Sequence, residues 1–250
     1  MAINLRRIYA VWLREVKRFT NSKARMVGSL AQPLLFLIVL GGGFSAMLPG
    51  FNYSSFILPG IVMMTILFSS ISSGVSIIWD REFGFLKEML ASPTSRENLV
   101  LGRTFGGATI AVLQGALILV LGTLITGTPL PSPPSLLGAF VLMILISSFL
   151  VAVGISIASL VQEVETFQLI MNLVVMPLFF LSNALFPVNK MPGWLQGAIM
   201  FNPISYAVDG LRGLIIGQSS FGLPFDFGIS CVFFAIAIAV ATYLFSKTSV

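Results

Sequence analysis

Residues 104–162 read TFGGATIAVLQGALILVLGTLITGTPLPSPPSLLGAFVLMILISSFLVAVGISIASLVQ, uncharged from Arg103 to Glu163. One helical crossing of a bilayer needs about 20 apolar residues, so this stretch holds two. Its middle carries Gly127 and prolines at 129, 131, 133 and 134, a turn composition. The reading is therefore two membrane helices joined by a short loop. A β-barrel would show segments of about 10 residues with alternating polarity, and these runs are continuous and longer.

Outward from this pair, residues 26–79 are equally free of charge and break at Pro49 to Ser55. The pattern predicts spans at 27–48, 56–79, 104–126, 136–160, 166–186 and 227–245. Pro59 falls in the first turn of the second span, where proline is tolerated. Pro177 lies inside the fifth and predicts a kink. The expected fold is all-α and integral to the membrane, one domain over 1–250. It has six transmembrane helices, an amphipathic interfacial helix over 1–25 and a re-entrant helical hairpin over 187–225, before the last span.

Composition agrees. The 250 residues are 56% hydrophobic and 9% charged, whereas a soluble domain carries about 25% charged residues. There is no histidine, which excludes a Ser-His-Asp triad, a histidine metal site and a histidine proton shuttle. Cys231 stands alone, so neither an intrachain disulfide nor a cysteine zinc cluster can form. The net charge of +5 comes from basic residues beside apolar runs. That placement fits lipid head groups and membrane topology rather than nucleic acid.

With the N terminus cytoplasmic, the inner side holds Arg6, Arg7, Arg14, Lys17, Arg18, Lys23, Arg25, Arg81, Lys87, Arg96, Arg103 and Lys247, and the outer side only Lys190 and Arg212. This asymmetry predicts both termini in the cytoplasm. The first apolar run is too long for a signal-peptide core, so span one is expected to stay in the mature protein.

Three segments are not simple spans. Leu5, Ile8, Trp12, Val16 and Phe19 recur at helical spacing with arginines and lysines on the remaining arc, a pattern that lies on an anionic membrane surface. It reads either as a topology anchor or as a helix that also touches a cytoplasmic partner. Residues 80–98 mix charges with Phe83, Phe85, Leu86, Met89 and Leu90. They predict a short helix over 82–91, ending before Pro93, and a capping box of Thr94 with Glu97 ahead of span three. This helix is a lever joined to two spans, or an interfacial helix on lipid. In 187–225, two apolar pieces flank Asn202-Pro203 and neither is long enough to span. Asp209 and Arg212 are spaced to pair on one helix face.

Some chemistry is missing. No lysine follows glycine, so there is no phosphate-cradling loop of the Walker type and the chain alone should not hydrolyse ATP. Glu163 and Glu165 are two apart and do not share a helix face, which disfavours a metal or acid–base pair. No metal site and no catalytic residue is expected. Gly102/Gly106 and Gly213/Gly217 have the spacing of a helix-packing motif, in a chain class where glycine is common. Gln114, Gln168, Asn172 and Asn183 are the main intramembrane amides; they bond between helices or meet a polar substrate group. The predicted spans contain no acid, unlike proton- or ion-coupled carriers, which points to an external energy source.

The ordered set of features resembles the permease of ABC-2 type exporters along nearly the whole chain. It comprises the amphipathic N-terminal helix, six spans, Leu86-Lys-Glu-Met-Leu-Ala-Ser-Pro-Thr-Ser-Arg96 followed by Gly102-Arg103, and Asn202-Pro203-Ile-Ser-Tyr206-Ala-Val-Asp209-Gly210-Leu-Arg212-Gly213. The last segment is similar to the signature of the branch with daunorubicin-type drug exporters and nodulation-factor exporters. The resemblance implies a half-transporter in the cytoplasmic membrane. Two permease copies would pair above two separate ABC ATPase subunits, and those partners would bind ATP and magnesium.

It further implies coupling to the ATPase through Glu82 to Leu90, with Glu82, Phe83, Phe85, Leu86, Glu88 and Met89 as contacts and Glu163 and Glu165 as a second contact region. Asn202, Pro203, Tyr206, Asp209 and Arg212 would belong to the family's hairpin, and Gln168, Asn172 and Asn183 to the substrate path. The expected activity is ATP-driven export of a hydrophobic or amphipathic molecule such as a drug or lipid. Export of a lipid-linked glycan is the alternative, and an ATP-independent channel, a secondary transporter and an intramembrane lipid enzyme are further competitors.

Overall fold

Asn4 starts the first helix by accepting the Arg6 backbone N–H on its side chain at 3.1 Å, the usual way to satisfy an orphan donor at a helix start. From there the computed structural model describes residues 4–47, 50–85, 88, 94–188 and 191–247, with the side chains of 23–25 excepted. Leu86 and Met89, expected to contact an ATPase, lie outside the described residues.

The helices are α1 (Leu5–Thr20), α2 (Lys23–Phe36), α3 (Gly42–Met47), α4 (Tyr53–Ser72), α5 (Val75–Glu82), α6 (Arg96–Thr126), α7 (Pro133–Leu160), α8 (Val164–Phe180), α9 (Gly193–Phe201), α10 (Pro203–Ile216) and α11 (Leu223–Ser246). A π-helical turn, Leu37–Gly41, joins α2 to α3. Among the described residues, five stretches are long and apolar enough to cross a membrane: Met26–Met47, Tyr53–Glu82, Arg96–Thr126, Pro133–Leu160 and Leu223–Ser246.

The expected fifth span is the exception. The uncharged run predicts a helix as far as residue 186, but α8 ends at Phe180 after 17 residues and 181–186 form turns. Irregular backbone is stable at membrane depth only where protein covers it and satisfies its carbonyls. Here Ser182, Asn183 and Ala184 are buried. The Leu178 carbonyl accepts from Asn202 Nδ2 at 2.6 Å, the Asn183 carbonyl from Arg212 Nη2 at 2.7 Å and the Leu185 carbonyl from the Tyr53 hydroxyl at 2.8 Å. Side chains from three other places in the sequence thus do what a further helical turn would have done.

Other boundaries shift for local reasons. Asn52 caps α4 by accepting from the Ser55 N–H, so the helix begins before residue 56 and Pro59 lies in its interior rather than its first turn. Ser95, not Thr94, caps α6, accepting from the Asn98 N–H. Ser132 caps α7, and Pro133 occupies its first position, where a missing N–H costs nothing. The longer helices take in Asp80 and Asp226, acids that the predicted spans excluded.

α4 is the central rod. Ile57, Leu58, Ile61, Val62, Met63, Ile66 and Leu67 are almost fully buried, and α6, α7 and α10 pack round it. Lipid tails are as apolar as leucine, so close packing rather than water exclusion holds such helices together. Two backbones approach closely at Gly74 and Gly154. A Cβ on Gly74 would sit 2.4 Å from the Gly154 carbonyl oxygen, and one on Gly154 2.5 Å from that of Ile71. α11 packs on α7 and α10, and Arg96 Nη1 donates to the Phe245 and Ser246 carbonyls at its C-terminal end. The first and last helices therefore meet the same, arginine-rich end of the bundle.

Candidate functional site

A cavity of about 500 Å³ opens at that basic end, between α1, α2, α4, α5, α6 and α8. One wall is a hydroxyl stripe on the α4–α5 rod: Thr65, Ser69, Ser72, Ser73 and Ser76. The spacing of its serines, three and four residues apart, places them on one helix face. Gln32, Gln114, Gln168 and Asn172 add amides, and Phe68, Trp79, Phe167 and Met171 add apolar surface. Gln168 and Asn172, expected on the substrate path, both line it; Asn183 does not. Gln114 donates to the Ser29 hydroxyl at 2.7 Å, bridging α6 and α2. Such a wall can hydrogen-bond a polar group and bury an apolar one in the same chamber.

α1 forms the cavity's basic-end edge and is seated by two glycines. A Cβ on Gly102 would lie 2.6 Å from Val11 Cβ, and one on Gly106 2.7 Å from Glu15 Cβ. The Gly102/Gly106 pair is thus a groove for α1. Its buried line is Val11, Glu15 and Phe19, not the whole predicted apolar stripe, and Leu5 is left 78% exposed. Trp12 Nε1 donates to the Thr109 hydroxyl at 3.0 Å, and the Asn4 N–H to Asn98 Oδ1 at 3.1 Å.

Asp80 pins this arrangement. Arg14 donates to its two carboxylate oxygens at 2.7 and 3.0 Å, Arg103 to one of them at 2.6 Å, and Arg18 stands 3.9 Å away. One buried carboxylate thus joins α1, α5 and α6. The hydrogen bond to Asp80 holds the Arg14 guanidinium above its ordinary pKa.

The expected contact residues gather beside this cluster. Glu82, Phe83, Phe85, Glu88, Glu163 and Glu165 are all exposed, Phe83 by 70% and Phe85 by 51%. α5 ends at Glu82; Gly84 then takes a φ of 78°, a left-handed turn that glycine adopts without strain, and Phe85 and Glu88 are helical. Arg81 Nη1 donates to the Val161 carbonyl at 2.8 Å, tying the end of α5 to the loop that carries Glu163. Glu163 accepts from the Thr166 hydroxyl at 3.1 Å.

At the opposite end, two short helices, α9 and α10, lie on either side of Asn202. Asn202 caps α10 by accepting from the Ile204 N–H, Pro203 takes its first position, and the Tyr206 hydroxyl reaches back to the Met200 carbonyl at 2.7 Å. Asp209 and Arg212 do not pair directly, contrary to their spacing. Asp209 instead accepts from Asn183 Nδ2 at 3.2 Å, from the Ser219 hydroxyl at 2.9 Å and from the Ser220 and Phe221 N–H groups at 2.7 and 2.9 Å. Arg212 lies over the Phe56 ring, 4.1 Å from its centroid. Asn183 thus ties the two charges together through its side chain and its carbonyl. Asp226 is fully buried, and neither of its carboxylate oxygens has a hydrogen-bond partner.

Glu15, Arg18, Asp80, Asp226 and the serine stripe went unassigned in the sequence. The stripe had a legible signal, since Ser69, Ser72, Ser73 and Ser76 recur at helical spacing inside an apolar run. Asp80 had none, because a charge beside a span reads as an ordinary boundary. Among the described residues, no group of three His, Cys, Asp or Glu side chains is placed to hold a metal ion.

Residues 6–216 match the family described as ABC-2 type transporter. The transport permease ycf38 of Pyropia yezoensis is 34% identical over 224 residues, 84% of this chain and 74% of the relative. Nodulation protein J of Rhizobium leguminosarum bv. trifolii is 28% identical over 244 residues, 95% and 92% of the two chains. The inner membrane transport permease YadH of Escherichia coli (strain K12) is 28% identical over 234 residues, 90% and 88%. With most of its length covered by the family and by full-length permeases, the chain belongs to the ABC-2 type transporter permeases.

Proposed function

We propose that the chain is the permease subunit of an ATP-driven exporter in the cytoplasmic membrane, with both termini cytoplasmic and α9–α10 entering the outer leaflet. It pairs with a second copy of itself and with two ABC ATPase subunits, which bind ATP and magnesium. The ATPase docks on Glu82, Phe83, Phe85 and Glu88, with Glu163 and Glu165 at the edge of the contact. The observation that carries this reading is the continuity of the α4–α5 rod. Thr65, Ser69, Ser72, Ser76 and Trp79 line the cavity, and the same rod ends within a few residues of two exposed phenylalanines. A push on Phe83, which ends α5 directly, therefore reaches the cavity wall at Trp79 within the same helix, and transport follows if the ATPase binds one state of the rod better than the other.

The cavity suits an amphipathic substrate, with hydroxyls and amides for a polar head and phenylalanines and methionines for an apolar body. The hydroxyl stripe also favours a second reading, a lipid-linked glycan whose sugars exchange hydrogen bonds with serines. Co-purification with candidate ATPases, followed by ATP-dependent uptake into inverted vesicles, tests the proposal. A stable complex with ATP-driven uptake is expected. Flux through the chain alone, driven by an ion gradient, would overturn it.

A further inference from the structure

Glu15 and Arg18 stand one helical turn apart on α1 and line the same cavity. At that spacing an acid and a base commonly pair, but the ion pairs of Glu15 and Arg18 run to Arg14 and Asp80, not to each other. Glu15 Oε1 is buried without a hydrogen-bond partner. Its nearest cation is Arg14 Nη1 at 3.9 Å, beyond hydrogen-bonding reach. Arg18 is in surplus: Asp80 is already bonded by Arg14 and Arg103, and Arg18 rests 5.4 Å from the centroid of the Trp79 ring. Gln114, which also lines the cavity, carries a second buried acceptor without a partner in its Oε1. One end of the chamber therefore presents an acid and a base one turn apart, each ion-paired only at 3.9 Å, beyond hydrogen-bonding reach. Phe68, Phe167 and Met171 supply its apolar wall.

Leaving a buried carboxylate oxygen unsatisfied is costly, and a ligand with complementary poles recovers that cost. We propose that this end of the cavity binds the phosphate–ammonium head of a zwitterionic amphiphile. The phosphate oxygens meet Arg18, whose planar donors match them. The ammonium donates to Glu15, with Gln114 Oε1 as a further acceptor, and the hydrocarbon tail lies along Phe68, Phe167 and Met171. The inference rests on the reading of this cavity as the substrate chamber, and it adds the head-group chemistry and two residues that select it.

The test is calorimetric titration of the full-length chain in detergent micelles, which needs no ATPase; its failure leaves ATPase docking untouched, and failed docking leaves it untouched. Three probes are compared: lysophosphatidylethanolamine, its N-acetylated form, and free phosphoethanolamine. The wild-type chain is expected to bind the amine lipid about tenfold more tightly than the acetylated one, because a charge-assisted hydrogen bond is lost. Glu15→Gln should erase that ratio, and Arg18→Gln should weaken both lipids alike. Equal wild-type affinity for the two lipids, or a ratio that survives Glu15→Gln, would overturn the proposal. Free phosphoethanolamine binding as tightly as the lipid would overturn the assignment to an amphiphile. If Glu15→Gln fails to fold, the wild-type ratio and the Arg18→Gln measurement still decide.

Discussion

Arg103 on α6 donates to the Asp80 carboxylate at 2.6 Å, and both side chains are almost wholly buried, at 3% and 4% exposure. Removing one member of such a pair strands the other in a dry environment, at a cost of about 3–5 kcal/mol. Asp80→Asn should therefore lower Tm sharply and expose Lys17 and Arg18 to trypsin as α1 loosens. Arg14, at 37% side-chain exposure, is partly solvated, so Arg14→Gln should cost only about 1 kcal/mol. Thermal unfolding and limited proteolysis of the purified chain distinguish the two.

The glycine seat gives a second expectation. Gly102→Ala puts a methyl group 2.6 Å from Val11 Cβ, and overpacking of this kind costs about 1–3 kcal/mol. A Cβ on Gly228 would meet nothing within 4 Å, so Gly228→Ala should stay within about 0.5 kcal/mol of the parent. Equal Tm values for the two variants would argue that α1 is not seated on α6.

Glu82→Ala and Phe85→Ala remove exposed side chains, so insertion and Tm should be unchanged within about 0.5 kcal/mol. Co-purification of the ATPase, or the coupling of ATP hydrolysis to uptake, should fall. Wild-type assembly and wild-type uptake in both variants would reject the docking surface.

Asp226→Asn is expected to be neutral or stabilising, because it removes a carboxylate whose buried oxygens have no hydrogen-bond partner. Arg212→Met should do the reverse. It frees the Asn183 carbonyl, which Arg212 bonds at 2.7 Å, and loses the contact with the Phe56 ring, for a loss of about 1–3 kcal/mol. The opposite order of Tm values would place the anchor of α10 on Asp226 instead.

Long uncharged runs showed where helices lie, because length and hydropathy alone decide whether a segment can cross a bilayer. They did not show where a helix stops. α8 ends at Phe180 because Asn202, Arg212 and Tyr53 arrive to satisfy carbonyls, and nothing within 166–186 announces residues so far along the chain. The exposed apolar surface after α5 was legible in Phe83 and Phe85, which a plain hydrophilic connector would lack. The cavity was only half legible. Gln168 and Asn172 are visible as amides in an apolar helix, but Glu15 sits in a helix that reads as surface-bound, and its burial depends on Gly106, in another helix. The pairing of Asp209 with Arg212 follows local spacing, whereas the observed partner of both, Asn183, is a tertiary neighbour.

The seat of α1 on Gly102 and Gly106 has a consequence for biosynthesis. A chain emerging from the ribosome N-terminus first displays its cationic helix well before either glycine has been made. Until Gly102, Gly106 and Arg103 have been made, α1 has neither its seat nor the second arm of the Asp80 bridge, so its packing against α6 is a late event in synthesis.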